Sequence, residues 1–303
     1  MHRGQTLQNM NGSFTARPSG SLSKAVLGTE HRTQMAESVR IGCCCSMIAS
    51  GCDMTGIENV ETLKQLGFDY IELPLAQMMS LSAADFSALE SRVRAAGIRC
   101  EACNNFLPTT IKVTGPQVEP RQIAEYVEAA LKRAAQLGVA IVVCGSGGSR
   151  NLPEGFSAAK AWDQMVDFLQ SLDRPAAANG ITIAIEAINR TETNFLNLAA
   201  DGLKLAKQVN RENVKLLVDY YHWALEKEDT GVILEGGDYI RHVHLARPEG
   251  RAFPRASDPD DYAVFCDSLK KIDYRHRISV EAYTTDLKQD SSESLALLRR
   301  HFP

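Results

Sequence analysis

The sequence predicts an α/β fold, a single-domain (β/α)8 TIM barrel that follows a disordered N-terminal leader. From Val39 onward, eight short apolar stretches alternate with amphipathic helical ones. Residues 39–303 number 303 minus 38, or 265 positions, close to the roughly 250 of a typical TIM barrel. The first strand is followed by "CCCSMIASG", which lacks the GxGxxG turn of a doubly wound sheet.

The leader, residues 1–38, is rich in Ser, Gly, Thr, Asn and Gln, with more basic than acidic residues and no lasting periodicity. Such a composition offers little apolar surface to bury, so we expect it to be disordered. Because Met35 lies just before the first strand-like run, we interpret the leader as an upstream extension or a cloning remnant. A transit peptide is the alternative.

The strand candidates are short runs of apolar and β-branched residues, at 39–45, 68–74, 98–103, 139–144, 181–186, 214–219, 240–245 and 277–282. The helical segment "LSAADFSALESRVRAAG" has apolar residues at helical spacing: Leu81, Phe86, Leu89 and Val93. The segment "EPRQIAEYVEAALKRAAQLG" repeats the pattern with Ile123, Tyr126, Val127, Ala130 and Leu131. Gly97 and Gly138 provide their C-terminal stops.

The composition excludes several classes of function. A net charge of -4 gives no general electrostatic reason to bind nucleic acid or an anionic membrane. No apolar run approaches the roughly 20 residues that cross a bilayer, and no secretory signal is recognisable. We therefore expect a cytoplasmic protein acting on a small molecule.

The eight cysteines mostly lie in apolar, strand-like segments, which predicts reduced core residues. Cys100 and Cys103 form a CxxC, but no second CxxC follows at a zinc-finger spacing. A zinc or redox role for this pair is the weaker interpretation.

Four consecutive predicted strands finish with a residue that can bind a metal: Glu186, Asp219, His244 and Glu281. Each alone is explained by a helix N-cap, a salt bridge or a core histidine. In a barrel, however, the C-terminal ends of neighbouring strands converge on the active site, where three carboxylates would repel one another. One divalent cation relieves that repulsion, and the ligand set favours Mn²⁺, with Mg²⁺ and Co²⁺ as alternatives.

The segment "EAINRTE", from Glu186 to Glu192, matches a motif E-x-x-N-R-x-E, and "DYYH", from Asp219 to His222, matches D-x-x-H. On these motifs the sequence resembles the sugar isomerases and epimerases with a xylose isomerase-like TIM barrel, nearest the tagatose and allulose type of ketose 3-epimerase. The resemblance covers about Val39 to the C-terminus. It implies that Glu186, Asp219, His244 and Glu281 hold the metal and that Glu192 and His222 bind substrate.

The sequence departs from this family after the seventh strand, where H-x-G-E-x-N-R stands as "HLARPEGR". Arg251 or Arg247 takes the place of the family's substrate-binding arginine. His242 is interpreted as a neighbour of His244 rather than a ligand. Position at a strand end further predicts sugar contacts for Asn104, Asn105 and Glu72.

The resemblance implies proton transfer next to a carbonyl through an enediolate, with Glu186 and Glu281 as the two proton carriers. The same chemistry gives a lyase if a leaving group stands on the next carbon, as in an oxidised (3-keto) sugar, glycoside or inosose. A non-catalytic sugar-binding barrel is the third interpretation. Zinc endonucleases share the barrel, but they need more histidines than this chain has and a basic surface, which this acidic chain does not offer.

Two further expectations are weaker. The glycines of "CGSGGSRNLPEG" either present backbone N–H groups to a phosphate or, as we prefer, allow a tight turn. Barrels similar to this one form dimers or tetramers, so the resemblance also implies a homo-oligomer.

Overall fold

The computed structural model describes residues 38–303, which form a closed barrel of parallel strands in sequence order, with β1 pairing both β2 and β8. The predicted TIM barrel is confirmed. The strands are β1 (Arg40–Cys44), β2 (Tyr70–Pro74), β3 (Arg99–Asn104), β4 (Ile141–Cys144), β5 (Thr182–Glu186), β6 (Val214–Asp219), β7 (Ile240–Leu245) and β8 (Arg277–Val280). Apart from Ser38, the predicted leader lies outside the described residues.

Alternation along each strand divides the core into two parts. In β5, Ala184 faces the barrel interior, where it joins a small cluster with Tyr70 and Leu217, whereas Ile183 and Ile185 belong to the larger cluster beneath the helices. Both faces of the strands are thus buried, which explains why their sequences are unbroken runs of apolar residues. Gly42 leaves room for the Tyr70 ring, because a Cβ there would lie 2.3 Å from it.

The helices connect successive strands on the outside of the barrel. Within residues 38–303 the α-helices are α1 (Val60–Leu66), α2 (Leu75–Ser80), α3 (Ala83–Ala96), α4 (Pro120–Gln136), α5 (Gly147–Arg150), α6 (Ala158–Ala178), α7 (Ala199–Val209), α8 (Tyr220–Leu225), α9 (Gly231–Gly236), α10 (Tyr262–Lys271) and α11 (Leu287–His301). Short 3₁₀ helices lie at Cys45–Ile48, Ile57–Asn59, Gly237–Tyr239 and Glu249–Arg251.

Local sequence explains the ends of the helices. Ser82 caps α3 by accepting a hydrogen bond from the Asp85 N–H, and Gly97 ends it in the left-handed conformation. The predicted apolar face of α3 is buried at Phe86, Leu89 and Val93. No helix in residues 38–303 is long and apolar enough to span a bilayer.

Polar contacts close the N-terminal end of the barrel. The buried carboxylate of Glu101 on β3 accepts hydrogen bonds from Arg40 of β1 at 2.6 Å and from Arg277 of β8 at 2.8 Å. Arg99 lies 3.3 Å from the same carboxylate. These ion pairs join strands at the end of the barrel away from the predicted active site.

The cysteines pack as the sequence predicted. All eight are free thiols, and all except Cys52 are buried. Burial raises the pKa of the Cys144 thiol to about 11, which leaves it protonated and unreactive near neutral pH.

Candidate active site and metal centre

The C-terminal ends of β5 to β8 bring the four predicted metal ligands together. Glu186 and Asp219 are the last residues of β5 and β6, His244 is the last but one of β7, and Glu281 directly follows β8. Asp219 and His244 are partners in the strand register. One ligand atom from each of the four residues lies within 4.8 Å of the others, and all four residues are buried.

Asp219 supplies an observation that favours a cation at this cluster. Its Oδ1 accepts a 2.9 Å hydrogen bond from the Tyr221 N–H at the start of α8. Its Oδ2 is buried and has no hydrogen-bond partner among the described residues. Burial raises the pKa of Asp219 to about 7, although Arg251, 3.8 Å from Oδ2, acts in the opposite direction. Three carboxylates and one imidazole form a donor set that fits a hard divalent ion.

The His244 ring faces this cluster with one edge. Its Nδ1 lies 3.2 Å from Glu186 Oε1 and 3.3 Å from Glu281 Oε2. Its Nε2 lies on the other side of the ring, 3.0 Å from Glu72 Oε1. By its position, Nδ1 is the atom that His244 offers to the cluster. Burial lowers the pKa of His244, but Glu72 and Glu281 outweigh burial and raise it well above its usual value, so a metal ion that binds at Nδ1 displaces a proton from it.

The two glutamates of the cluster have different surroundings. Both oxygens of Glu281 are engaged, since Oε1 accepts a 2.9 Å hydrogen bond from Asn104 Nδ2 and Oε2 accepts one from Arg251. Burial raises the pKa of Glu281, but His244 and Arg251 outweigh it, so the pKa falls well below its usual range. For Glu186 burial prevails and the pKa is raised. The two carboxyl groups therefore differ in how readily they hold a proton.

Gly145, directly after β4, makes room for Glu186. A Cβ at this position would lie 1.7 Å from Glu186 Oε2. The φ of Gly145 lies outside the left-handed region, so the backbone conformation itself does not call for glycine. Any other residue at position 145 would push the Glu186 carboxylate out of its place.

The two residues assigned to substrate binding on "EAINRTE" and "DYYH" lie beside the cluster. The backbone N–H and the side-chain amide of Asn189 both donate to His222 Nδ1, at 3.2 and 2.7 Å, so Nε2 carries the ring proton. Burial lowers the pKa of His222 to about 3, which keeps the ring neutral. Asn189 also donates to Glu192 Oε1 at 3.0 Å. Glu192 and His222 both line the cavity above the cluster.

The structure distinguishes the two arginines left open by the sequence. Arg251 lines the cavity, donates to Glu281 and lies 3.6 Å from Glu192, with its guanidinium 4.6 Å above the Tyr221 ring. Arg247 instead pairs with residues outside the cavity, Glu249 and Asp258. Only Arg251 is placed to meet a molecule bound over the cluster.

Of the three sugar contacts predicted from strand-end position, two line the cavity and one does not. Asn104 and Asn105 lie on its wall. Glu72 has no exposed surface, and its carboxylate accepts hydrogen bonds from His242, His244 and Ser279 beneath the cluster. The predicted sugar contact of Glu72 does not fit this placement, because β2 runs two residues beyond Glu72 and buries it.

The cavity over the cluster has a volume of about 600 Å³. A larger cavity of about 930 Å³ lies between α4 and α6, but none of the predicted site residues lines it. The smaller cavity is therefore the candidate active site, because the predicted site residues line it and not the larger one. Among the described residues that line it, Arg251 is the single cation, against Glu186, Glu192 and Glu281.

The glycine-rich segment after β4 forms one wall of this cavity. Gly145 is required by Glu186, and a Cβ on Gly148 would lie 2.7 Å from the Thr109 side chain. Close approach of these side chains accounts for the two glycines, rather than the turn conformation that the sequence suggested, because neither glycine has a positive φ. The helix that follows, α5, has only four residues.

Sequence reasoning missed the roles of Gly145 and Asn189. Gly145 was grouped with the turn glycines. Its position directly after one predicted strand, next to the strand that ends in Glu186, could have indicated that it makes room for this side chain. Asn189 stands in the middle of "EAINRTE" and serves to orient His222.

Comparison with known proteins identifies the family of the chain. Residues 60–301 match the family described as xylose isomerase-like TIM barrel, so the chain belongs to that family. An L-ribulose 3-epimerase from Methylomonas sp. (strain DH-1) is 29% identical over 228 residues, covering 73% of this chain and 76% of the relative. A ketose 3-epimerase from Arthrobacter globiformis is 26% identical over 266 residues, covering 86% and 90%.

Solved structures agree on the fold. The crystal structure of D-allulose 3-epimerase from Methylomonas sp. in complex with D-allulose superposes with a TM-score of 0.75 at 22% identity. The alignment covers 88% of this chain and 98% of that one.

Proposed function

We propose that this protein is a divalent-metal-dependent epimerase that inverts the carbon next to the carbonyl of a ketose. Its relatives are named epimerases, and the protein is an enzyme of the isomerase and epimerase class. The observation that carries the proposal is the meeting of Glu186 and Glu281, which line one cavity, with Asp219 and His244.

Glu186, Asp219, His244 and Glu281 would hold the metal. When bound, it would supply Lewis-acid stabilisation of the negative charge that develops on the carbonyl oxygen. Mn²⁺ suits the three carboxylates and one imidazole, with Mg²⁺ and Co²⁺ as alternatives.

The protein's own groups carry the proton. One glutamate takes the proton from the carbon, the electron pair of that C–H bond forms a C=C bond to the carbonyl carbon, and the π pair of the carbonyl moves to its oxygen, giving an enediolate. The other glutamate, in its protonated form, returns a proton to the opposite face of the same carbon. Glu186 and Glu281 suit these roles because both line the cavity and both lie against His244 Nδ1. Proton exchange with water then resets the pair.

The remaining side chains of the cavity suit an uncharged polyhydroxy substrate. The neutral His222 ring offers an N–H, Glu192 offers carboxylate oxygens and Arg251 offers a guanidinium. A phosphate group would find Arg251 as the single cation among the described lining residues, so we favour a free sugar over a sugar phosphate. The predicted cytoplasmic location and homo-oligomer stay predictions.

The proposal is tested by deuterium exchange. The Mn²⁺-loaded enzyme in D₂O, given a panel of free ketoses and 3-keto glycosides, should wash deuterium into the carbon next to the carbonyl of at least one compound. Mass spectrometry and NMR of the product should show a labelled stereoisomer of unchanged connectivity. An unsaturated sugar would instead identify a lyase, and no exchange with any compound would point to a non-catalytic sugar-binding barrel.

The metal itself gives a separate prediction. Protein loaded with Mn²⁺ and passed through gel filtration should retain about one ion per chain, because the cluster offers a single set of converging ligands. His244→Ala removes the imidazole and should lower the retained metal markedly. Full activity after exhaustive chelation, with no metal detectable by mass spectrometry, would contradict the assignment.

A further inference from the structure

We propose that Glu72 is a positioning residue, whose carboxylate fixes the tautomer of His244 so that the bare Nδ1 faces Glu186, Asp219 and Glu281. The inference rests on the proposed metal centre and adds a residue to it from the opposite side of the barrel. Glu72 lies on β2, whereas the four candidate ligands come from the ends of β5 to β8.

The hydrogen bonds of Glu72 determine where the ring protons lie. An ionised carboxylate can only accept, so a bond of 3.0 Å between Glu72 Oε1 and His244 Nε2 places the proton on Nε2. A metal ion that binds at Nδ1 takes the place of the proton there, and the ring, which is then neutral, keeps its one proton on Nε2. Metal-binding histidines in general donate the second N–H to such an outer partner, which sets the tautomer and the ring orientation.

Glu72 is in turn held in its accepting state by two other donors. His242 Nε2 donates to Oε2 at 2.8 Å, and Ser279 Oγ donates to the same oxygen at 2.6 Å. Because the Ser279 hydroxyl gives its hydrogen to Glu72, it accepts the 2.7 Å bond from the Tyr70 hydroxyl. The carboxylate thus meets three donors along a chain of hydrogen bonds that leads into the barrel interior.

Burial makes this arrangement specific. Glu72, His242, His244 and Ser279 are each 0% exposed, so bulk water cannot replace the carboxylate as the acceptor. His242 uses the same carboxylate, yet its Nδ1 is buried without a hydrogen-bond partner among the described residues. His244 is the ring whose Nδ1 meets the cluster, which also agrees with the interpretation of His242 as a neighbour.

Glu72→Gln tests the proposal because glutamine keeps the size of the side chain but brings its own N–H₂ group to one of these contacts. We expect the affinity for Mn²⁺, measured by calorimetric titration, to fall about 10- to 100-fold, the range typical of losing such an outer partner. The matched control is Glu101→Gln, which removes another buried carboxylate from the neighbouring strand, far from the cluster. Both variants should lose stability, but Glu101→Gln should bind Mn²⁺ as the wild type does.

A second measurement needs no variant. Long-range ¹H–¹⁵N spectra of wild-type protein loaded with diamagnetic Mg²⁺ should show the His244 ring protonated at Nε2 alone, with the signal assigned by a His244→Gln variant. Protonation at Nδ1, or wild-type affinity in folded Glu72→Gln, would overturn the role of Glu72. Failure of the wild type to bind any divalent ion would overturn the proposed metal centre instead, so the two failures are distinguishable.

Discussion

Replacing Glu186 or Glu281 with glutamine is expected to slow deuterium exchange into the substrate by at least about 10²-fold, the lower range for loss of a positioned acid or base. Glutamine keeps the volume of the side chain but cannot take up the proton. At Glu281 the N–H₂ group of glutamine would also face Asn104 or Arg251, both of which donate hydrogen bonds to the present carboxylate. Either change therefore removes the carboxyl group that transfers the proton on one face of the reacting carbon.

Because both glutamates are also candidate metal ligands, the exchange rate is to be measured at saturating Mn²⁺, with the bound metal counted in the same sample. Glu101→Gln, at the other end of the barrel, controls for loss of a buried carboxylate. Wild-type exchange in both glutamine variants with metal still bound would show that another group moves the proton.

Gly145→Ala is expected to lower the turnover rate by about 10²-fold while leaving the melting temperature close to that of the wild type. Real Cβ contacts are essentially never shorter than 3.0 Å, and the new Cβ would lie 1.7 Å from Glu186 Oε2. The carboxylate must therefore move by about 1.3 Å (3.0 minus 1.7), and a shift of this size in a reacting group costs on the order of 10²-fold. Stability should change little, because the atom that moves is the end of a side chain.

Gly147→Ala is the matched control for this variant. Its Cβ would meet the Thr193 side chain at 3.4 Å, which is van der Waals contact, and its backbone is likewise outside the left-handed region. Kinetics and thermal unfolding of the two alanine variants then separate displacement of Glu186 from a general effect on the segment. An unimpaired Gly145→Ala enzyme would mean that the position of Glu186 does not limit the reaction.

The barrel and the four strand-end residues were predictable because each depends on a local pattern. A run of apolar residues that ends in Glu186 or Asp219 marks the point where a buried strand ends. A parallel barrel brings neighbouring strand ends together. Closing the barrel then fixes the approximate position of every such residue.

The role of Glu72 was missed because depth along a strand decides what a side chain meets. Glu72 stands two residues before the end of β2, or about 7 Å below the rim at roughly 3.3 Å per residue. The charge on a predicted strand was visible in the sequence, but its partners His242 and His244 come from the other side of the barrel.

The choice between Arg247 and Arg251 also depended on backbone geometry. Gly250 and Arg251 both adopt positive φ, at 72° and 46°, and this turn carries the Arg251 side chain over Tyr221. Gly250 indicates a turn in the sequence, but a left-handed arginine is uncommon and has no sequence signal of its own.

Closure of the barrel has a cost during synthesis of the protein. β1 pairs with β8, although the two strands are among the first and the last of the barrel to emerge from the ribosome. Until β8 emerges, β1 and the most recently made strand both expose unpaired backbone edges, which can template pairing with other chains. Nascent chains are therefore expected to aggregate or to need a chaperone until β8 has emerged and paired with β1.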